Sequence, residues 1–311
     1  MKAIVIEQYG GKETLKEKDV ETPTINEDQV LVEIHATSIN PIDWKVREGY
    51  LKDMLPFEFP LILGWDAAGV IVQKGKNVTT FDVGDRVFTR PATTNQGTYA
   101  EFVPVEENLL AKMPEEMSFE EAASIPLAGL TAWQCLVDFG KIKENDKVLI
   151  HAGAGGVGNF AIQIAKSFGA HVATTASELN KEFLQSLGAD EIIDYKHADF
   201  STILHDFDIV LDSIGGEVQS KSYQVLKEDG KLVSIVQPPN EEEAKNHKVH
   251  AGFVWLEPDG EQLQKLAELY TAGQLKPIVG ETFDFNEQSL QDAHALSETH
   301  HARGKIVIKI K

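Results

Sequence analysis

A glycine-rich turn between an apolar run and an amphipathic segment constrains this chain most. Residues 147–151 suit a short buried strand, and the helical spacing of apolar residues over 157–168 predicts a helix. The turn that joins them consists of Gly153, Ala154, Gly155, Gly156, Val157 and Gly158. A strand, a GxGxxG turn and a helix in this order predict one βαβ unit of a parallel sheet.

Each glycine of this turn has a separate physical use. Gly153 permits the tight turn, Gly155 lets the backbone approach a ligand, and Gly158 lets the helix pack closely on the strand. The first turn of the helix offers free N–H groups and a partial positive charge. The pattern therefore predicts a cradle for dinucleotide phosphates, and a glycine-rich turn without any cofactor is the alternative.

The alternation of strands and helices continues along the chain after this turn. Strands are predicted over 147–151, 172–175, 191–194, 209–212 and 231–236, and a second helix over 181–187. Further helices are expected over 261–271 and up to about residue 296, with strands over 283–286 and 305–310. This series predicts a doubly wound parallel sheet, and the lone terminal strand needs a partner sheet elsewhere.

The first 120 residues differ, because short apolar runs recur there between turn signals. The runs cover 3–7, 29–36, 69–73, 86–89 and 99–105, a spacing typical of a compact β-barrel. Ser118 and Glu121 then form a capping box ahead of an apolar helix. We therefore predict an α/β protein with a barrel domain over 1–120 and 273–311 and a nucleotide-binding domain over 121–272.

The net charge and the single cysteine narrow the class of protein. A formal charge of -20 argues against nucleic acid and anionic membrane surfaces as partners. The N-terminus lacks a signal-peptide layout and no apolar run reaches about 18 residues, so we expect a cytoplasmic protein. Cys135 stands alone in an apolar stretch, which predicts a buried thiol and excludes a multi-cysteine zinc site.

The end of the second strand of the parallel sheet selects between NAD and NADP. An NAD site usually has Asp or Glu there, whereas this strand ends in Thr175-Ala176-Ser177. Ser177 is able to donate to a 2′-phosphate, and Lys181 to pair with it. NADP is therefore the favoured cofactor, although Glu178 is the feature that favours NAD and Lys181 alone also fits a solvated lysine.

Several stretches together resemble a known superfamily. They are SINPIDWK at 38–45, GWDAAG at 64–69, VGDRV at 83–87, the stretch 151–158, LGAD at 187–190, DSIGG at 212–216 and RGKIV at 303–307. In this order and spacing they are similar to the medium-chain dehydrogenases/reductases, and most of all to the zinc-free quinone oxidoreductase (zeta-crystallin-like) branch. The resemblance implies a GroES-like barrel, an inserted Rossmann domain, and a homodimer joined through the edges of the Rossmann sheets.

The same resemblance bears on metal use. Zinc-dependent members place a Cys near Asn40, a His at the position of Trp65 and a Glu at that of Asp66. Catalytic zinc needs three protein ligands, and neither Asn40 nor Trp65 supplies one. We therefore expect no zinc and no other metal site in this chain.

Without a metal, reduction is easier to support than the oxidation of an alcohol. A quinone or an α,β-unsaturated carbonyl compound takes hydride from NADPH, and the resulting oxyanion then takes a proton. The candidate catalytic residues are Asn40, which by resemblance lies near the nicotinamide ribose or the substrate, Asp43, Lys45 and Tyr50. The alternatives are an Asp43–Lys45 ion pair that holds the loop, and a surface position for Tyr50.

Further cofactor contacts follow from the resemblance and from strand ends. Tyr195, Ser213 and Gly215 follow the third and fourth strands, where ligands of such sheets bind. Val236 and Phe253 are expected to border the nicotinamide, with core packing as the alternative. Lys305 is expected to reach the cofactor from the returning C-terminal segment, and a strand-start lysine is the alternative.

Two other functions remain open at the level of sequence. One is a reductase or dehydrogenase of a different carbonyl compound. The other is a non-catalytic NADPH-binding protein of the crystallin kind. The segments 50–59 and 91–97 are expected to shape the substrate pocket.

Overall fold

A computed structural model describes all 311 residues. Its strands β1–β16 are Lys2–Ile6, Lys16–Asp19, Gln29–Ile39, Leu61–Ile62, Ala67–Lys74, Arg86–Thr89, Phe102–Glu106, Leu110–Lys112, Lys147–Ile150, His171–Ala176, Glu191–Asp194, Phe207–Asp212, Leu226–Ser234, His250–Phe253, Val279–Asp284 and Lys305–Lys309. Its helices α1–α9 are Pro41–Arg47, Phe119–Ala123, Pro126–Trp133, Gly156–Ser167, Lys181–Ser186, Gly216–Ser222, Glu241–His247, Gly260–Thr271 and Glu287–Glu298.

The first compact unit is built around the long strand β3. Its sheet has the order β15-β16-β3-β5-β6-β8, with β7 also paired to β3, and a smaller sheet has the order β2-β1-β4. Alternate residues Val30, Val32 and Ile34 of β3 are fully buried, and they form one apolar core with residues of β5, β6 and β7. A second core surrounds β1 and α9 and contains Trp65 and Tyr99.

The C-terminal strand returns to the first unit, as its lone position in the sequence predicted. β16 pairs antiparallel with β3, with Ile306 opposite Ile39 and Lys309 opposite Ala36. This pairing gives the terminal strand the hydrogen-bond partners that its backbone requires. It also places residue 305 beside the end of β3, directly before α1.

The second unit contains a six-stranded sheet of order β11-β10-β9-β12-β13-β14, and every strand pair in it is parallel. Numbered from β9, this is the order 3-2-1-4-5-6 of a dinucleotide-binding fold. Residues 148–150 of the central strand β9 are fully buried, which explains their uninterrupted apolar run. The predicted parallel, doubly wound sheet is therefore confirmed.

The compact units differ from the predicted domain boundaries over three stretches, 121–128, 258–271 and 273–276. The first unit comprises Met1–Ala128, Pro258–Thr271 and Pro277–Lys311, and the second comprises Gly129–Glu257 and Ala272–Lys276. α2 packs on β3 and β5, and α8 packs on β8, so both helices belong to the first unit and not to residues 121–272. A Cβ at Gly260 would lie 2.5 Å from the carbonyl oxygen of Leu110, which shows how closely α8 approaches that strand.

Some local predictions were incomplete. The strand over 86–89 and the capping box of Ser118 and Glu121 are present as predicted. Helix α1 was not predicted, because it covers only seven residues, although Pro41 at its first position is typical of a helix start. Cys135 is buried as predicted. No helix is long and apolar enough to cross a bilayer.

Candidate functional site

The glycine-rich turn has the geometry that its sequence requires. Ala152 opens it with a positive φ of 52°, and α4 begins at Gly156 after Gly155, which is extended. A Cβ at Gly153 would lie 2.1 Å from Thr174 Oγ1, and one at Gly158 would lie 2.4 Å from the carbonyl oxygen of Ala152. Both positions therefore exclude any side chain, as predicted.

The outer face of the same turn fits a phosphate group. A Cβ at Gly155 would meet only the carbonyl oxygen of Ala152, at 3.3 Å, so its other sides are open. No side chain caps the N-terminus of α4, and the N–H groups of its first turn lie beside this open face. Open space at Gly155 next to free N–H donors is what a dinucleotide pyrophosphate needs.

The buried side chain of His151 stabilises this turn through a chain of hydrogen bonds. His151 Nε2 lies 2.9 Å from Ser222 Oγ, which donates its own proton to Val218, so Nε2 carries the ring proton. His151 Nδ1 therefore accepts from Thr175 Oγ1 at 3.1 Å, and Thr175 Oγ1 accepts from the N–H of Ala152 at 3.2 Å. Burial lowers the pKa of His151 to about 4, so the ring is neutral at neutral pH.

The predicted 2′-phosphate contacts lie on the segment after β10. Asn180 donates to Ser177 Oγ at 3.2 Å, and Lys181 Nζ lies 3.3 Å from Glu178, with both charged side chains about half exposed. Tyr195 is 55% exposed, and its N–H donates to the carbonyl oxygen of Ala176. These side chains are thus grouped at the carboxyl ends of β10 and β11, where such sheets bind ligands.

The carboxyl ends of β12, β13 and β14 carry the remaining predicted cofactor contacts. Ser213 Oγ donates to the carbonyl oxygen of His151 at 3.0 Å, and a Cβ at Gly215 would lie 3.2 Å from Val236 Cγ2. Val236 and Phe253 are 39% and 37% exposed, so the alternative of core packing is wrong for both. The structure therefore gathers Ser213, Gly215 and Val236 at one edge of the sheet.

Asp212 organises that edge, although it was not predicted as a site residue. Its Oδ1 accepts the N–H groups of Ile214 and Gly215 at 3.0 and 2.8 Å. Its Oδ2 accepts from Gln219 and Ser234 at 3.0 and 2.8 Å. An acid at the end of an apolar strand, followed by a glycine pair, is the signal that points to such a turn.

A buried polar cluster lies in the first unit where β3 ends. Lys305 Nζ donates to Ile39 O at 3.1 Å, to Asn40 Oδ1 and to Asp66 Oδ2 at 3.2 Å, and Asn40 Nδ2 donates to Asp66 Oδ2 at 2.7 Å. Lys305 is 3% exposed, and all three of its N–H groups are used here. This placement argues against the predicted contact of Lys305 with the cofactor and favours its strand-start alternative.

Asp43 belongs to the interior of the same unit. It is fully buried, and its Oδ2 accepts from the N–H of Asn40 at 2.8 Å and from the Tyr99 hydroxyl at 2.6 Å. Burial raises the pKa of Asp43 to about 7. The predicted alternative of an Asp43–Lys45 ion pair is wrong, because Lys45 Nζ lies over the Trp44 ring, 5.7 Å from its centre.

A chain of buried hydrogen bonds leads from Asp43 to Arg47. Arg47 Nη1 donates to His294 Nδ1 at 3.1 Å, so His294 Nε2 carries the proton that it shares with the Tyr99 oxygen at 3.0 Å. Burial, followed by the charge of Arg47, lowers the pKa of His294 to about 3. Arg47 also pairs with Glu298 at 2.8 Å. Asp43 is therefore held in a fixed orientation, as a positioning residue for Asn40.

The other catalytic candidates occupy different environments. Asn40 is 1% exposed and uses both ends of its side-chain amide within the cluster. Tyr50 is 70% exposed, with its ring edge-on to that of Trp44, as its surface alternative described. Desolvation lowers the pKa of the Lys45 ammonium. Their contact with a substrate stays a prediction.

The side chains at the positions of the zinc ligands do not offer free donor atoms. Trp65 is fully buried and its indole nitrogen has no hydrogen-bond partner, while the carboxylate of Asp66 is occupied by Lys305 and Asn40. No group of three or more His, Cys, Asp or Glu side chains is arranged to hold a metal ion.

Comparison with known proteins places this chain in a family. An alcohol dehydrogenase GroES-like domain matches residues 26–115, and a zinc-binding dehydrogenase domain matches residues 187–308. The chain is 35% identical to the mitochondrial NAD(P)H oxidoreductase RTN4IP1 of Danio rerio, over 100% of this chain and 91% of that protein. It is 37% identical to the chloroplastic NADPH-dependent alkenal/one oxidoreductase of Arabidopsis thaliana, over 99% and 79% respectively.

Comparison with solved structures supports the same family. The quinone oxidoreductase from Coxiella burnetii superposes with a TM-score of 0.93 and 38% identity, covering 100% of this chain and 99% of that one. The chain therefore belongs to the medium-chain dehydrogenase/reductase superfamily, in its quinone oxidoreductase branch. The predicted family and fold class are confirmed. Some relatives are named as mitochondrial or chloroplastic, so the cytoplasmic location stays a prediction.

Proposed function

We propose that this protein is an NADPH-dependent oxidoreductase that reduces quinones or α,β-unsaturated carbonyl compounds. The observation that carries the proposal is the open, uncapped turn at 153–158 on the central strand of a parallel sheet, in a chain of this superfamily. Relatives named as quinone oxidoreductase and as NADPH-dependent alkenal/one oxidoreductase support the choice of acceptor.

When bound, NADPH supplies a hydride to the acceptor carbon, the conjugated electron pair moves to the acceptor oxygen, and a proton completes the reduction. The turn at 153–158 binds the pyrophosphate through backbone N–H groups. His151 and Thr175 hold that turn, through the N–H of Ala152. Asp43 and Lys305 orient the Asn40 side chain and backbone at the end of β3.

Recognition of the 2′-phosphate is assigned to Ser177 and Lys181. Both lie directly after β10, and the only carboxylate in that segment, Glu178, contacts Lys181 instead of standing at the strand end. A phosphate at this position displaces Glu178 as the partner of Lys181, because a charge-assisted contact with a dianion is stronger. Tyr195, Val236 and Phe253 supply apolar surface along the same edge.

The proposed reaction uses no metal, because Asn40 and Trp65 replace two zinc ligands of the metal-dependent members. A homodimer joined through the Rossmann sheets is also proposed. β14 is an edge strand whose ladder partner is β13 alone, so its outer side is able to pair with the same strand of a second copy. Light scattering of the purified protein tests this dimer.

The decisive experiment is titration with NADPH and NADH, followed by turnover on a panel of quinones, enones and simple ketones. We expect tighter binding of NADPH, turnover on quinones or enones, and unchanged rates after dialysis against a chelator. Ser177→Ala and Lys181→Met should weaken NADPH binding and leave NADH binding unchanged. A preference for NADH contradicts the assignment of Ser177 and Lys181, and absence of turnover on the whole panel contradicts the proposed function.

A further inference from the structure

Arg90 is a buried cation beside the cluster of Asn40, Asp66 and Lys305. It follows directly after β6, whose last residue Thr89 pairs with Ala67 of β5. The continuation of this antiparallel ladder places Arg90 next to Asp66. Arg90 also begins the segment 91–97, which returns to β4 through the hydrogen bond from Gly97 to the carbonyl oxygen of Ile62.

The guanidinium of Arg90 is only partly satisfied by the protein. The residue is 2% exposed, and its Nη1 donates to Pro91 O at 2.7 Å and to Thr93 Oγ1 at 2.8 Å. Its Nε is buried and has no hydrogen-bond partner. An N–H donor that is buried without a partner destabilises the folded protein, so a group outside the chain is expected to accept from it.

Arg90 also differs from the other buried cations of this protein. Lys305 Nζ lies 3.2 Å from Asp66, and Arg47 Nη2 lies 2.8 Å from Glu298, whereas no carboxylate lies within 4 Å of Arg90. Burial lowers the pKa of Arg90 to about 10, so it stays charged at neutral pH. Asp66 and Asp43 attract this charge, but Arg90 forms a salt bridge with neither of them, so its buried Nε–H is a charged donor without a direct partner.

We propose that the Nε–H of Arg90 binds the substrate oxygen on which negative charge develops during reduction. This proposal rests on the proposed function and makes Arg90 a catalytic residue of it. The ligand is the oxyanion of a quinol or an enolate. A donor fixed in place before reaction, in a site without competing water, stabilises such a charge more than it stabilises the neutral carbonyl.

The geometry favours a single oxygen over a phosphate group. Arg side chains usually bind phosphate with two parallel N–H groups. In Arg90 the Nη1 group is already bound to Pro91 and Thr93, which leaves Nε as the unpaired buried donor. The turn at 153–158 already provides N–H donors for the phosphates of a dinucleotide.

A phenolate probe tests this site without any turnover. 4-Nitrophenol resembles a quinol, and its absorbance reports its own ionisation. With NADP⁺ present, we expect the wild-type protein to bind the phenolate form and to lower the apparent pKa of the bound probe by about 1–3. Arg90→Met should abolish this shift, and Arg90→Lys, which keeps a charge but lacks Nε–H, should keep only part of it.

Arg86→Met is the matched control, because Arg86 lies on strand β6, directly before Arg90, and donates to the carbonyl oxygens of Glu115 and Met117. It should leave the shift intact. In turnover, Arg90→Met should lower kcat by roughly 10²-fold or more with a smaller change in KM. Circular dichroism checks folding, and if Arg90→Met does not fold, Arg90→Lys carries the test.

Two outcomes overturn the proposal. One is a wild-type protein that binds the probe without any change in its apparent pKa. The other is a folded Arg90 variant that retains both the shift and the wild-type kcat. If the shift depends on Arg90 but no quinone or enone is reduced, the proposed function fails while the oxyanion site remains. If quinones or enones are reduced but the bound probe shows no pKa shift, the oxyanion site at Arg90 fails while the proposed function remains.

Discussion

At the scale of single residues, the barrel unit is organised by buried charges that are fixed by hydrogen bonds. The carboxylate of Asp66 accepts hydrogen bonds from Lys305, Asn40 and Ser38. The carboxyl group of Asp43 accepts hydrogen bonds from the Tyr99 hydroxyl and from the N–H of Asn40. Buried ions are expensive to leave without a partner, so each of these contacts matters more than an exposed ion pair.

Asp43→Asn should change how stability depends on pH. The pKa of Asp43 is raised from 3.8 to about 7 in the folded protein, so between these values the native state binds more protons than the unfolded state. Its contribution to stability is therefore present at low pH and is lost as pH rises towards 7. Between pH 5.5 and 7, the wild type should lose up to about 1.4 kcal/mol per pH unit relative to the variant.

Urea unfolding at several pH values measures this difference. The pKa values of His151 and His294 are lowered in the folded protein, so their contribution to stability grows with pH, opposite to that of Asp43. Because both proteins contain these histidines, the difference between their free energies of unfolding removes this contribution. Asp53→Asn, an exposed change on the segment after α1, should keep the wild-type slope. Parallel pH profiles for the wild type and Asp43→Asn would refute the assignment.

Lys305→Met should be strongly destabilising. It removes the only cation that forms a salt bridge with Asp66 and leaves a fully buried carboxylate with only the more distant charge of Arg90. Breaking such a pair costs roughly 3–5 kcal/mol. Lys309→Met on the same strand is the control, because Lys309 is about half exposed and lies 3.5 Å from Glu120. Its cost should stay within about 0.5 kcal/mol in chemical unfolding, and equal losses in the two variants would contradict this account.

At the scale of elements, close packing of backbone decides the turn between β9 and α4. Gly158 faces the carbonyl oxygen of Ala152 and the Cα of Gly153, whereas Gly155 faces open space on most sides. The two glycines of one motif therefore serve different purposes. Gly158 allows the close packing of α4 on the turn, and Gly155 leaves space for the phosphates of the cofactor.

Substitution by alanine separates these two purposes. Gly158→Ala places a Cβ 2.4 Å from the carbonyl oxygen of Ala152, so it should lower the free energy of unfolding by roughly 1–3 kcal/mol. Gly155 has a negative φ that alanine adopts freely, so Gly155→Ala should leave stability unchanged and weaken NADPH binding. Urea unfolding and NADPH fluorescence titration measure the two effects. A Gly155→Ala variant with wild-type affinity would show that the phosphates bind elsewhere.

At the scale of the whole molecule, the net charge of -20 opposes the compact state. Most ion pairs of this protein involve exposed side chains, and each of them contributes little to stability. Salt screens both these attractions and the repulsion among the excess negative charges, and we expect the loss of repulsion to be the larger effect. Raising NaCl from about 10 to 200 mM should therefore raise the Tm by roughly 2–4 °C. KCl at equal ionic strength should have the same effect. A Tm that falls with salt would mean that the surface ion pairs outweigh the repulsion.

Much of the second unit was predictable because its signals are local. Strands β9, β10, β11 and β12 were placed within about two residues, and helix α4 within one, since periodicity and glycine spacing act over short stretches. The predicted boundary at residue 272 differs from that of the compact units, because nothing local in α8 shows that this helix packs on β8. Strand β2 was missed because its charged residues show no apolar alternation.

The sequence by itself determined the glycine-rich turn, the alternation that implies a parallel sheet, and the family. These depend on backbone freedom and on periodicity, which neighbouring residues decide. Only the tertiary structure decided that Lys305 binds Asp66, that Tyr99 links Asp43 to His294, and that the Nε–H of Arg90 has no hydrogen-bond partner. Partners and pKa values of buried groups depend on residues far apart in the chain, which no local pattern encodes.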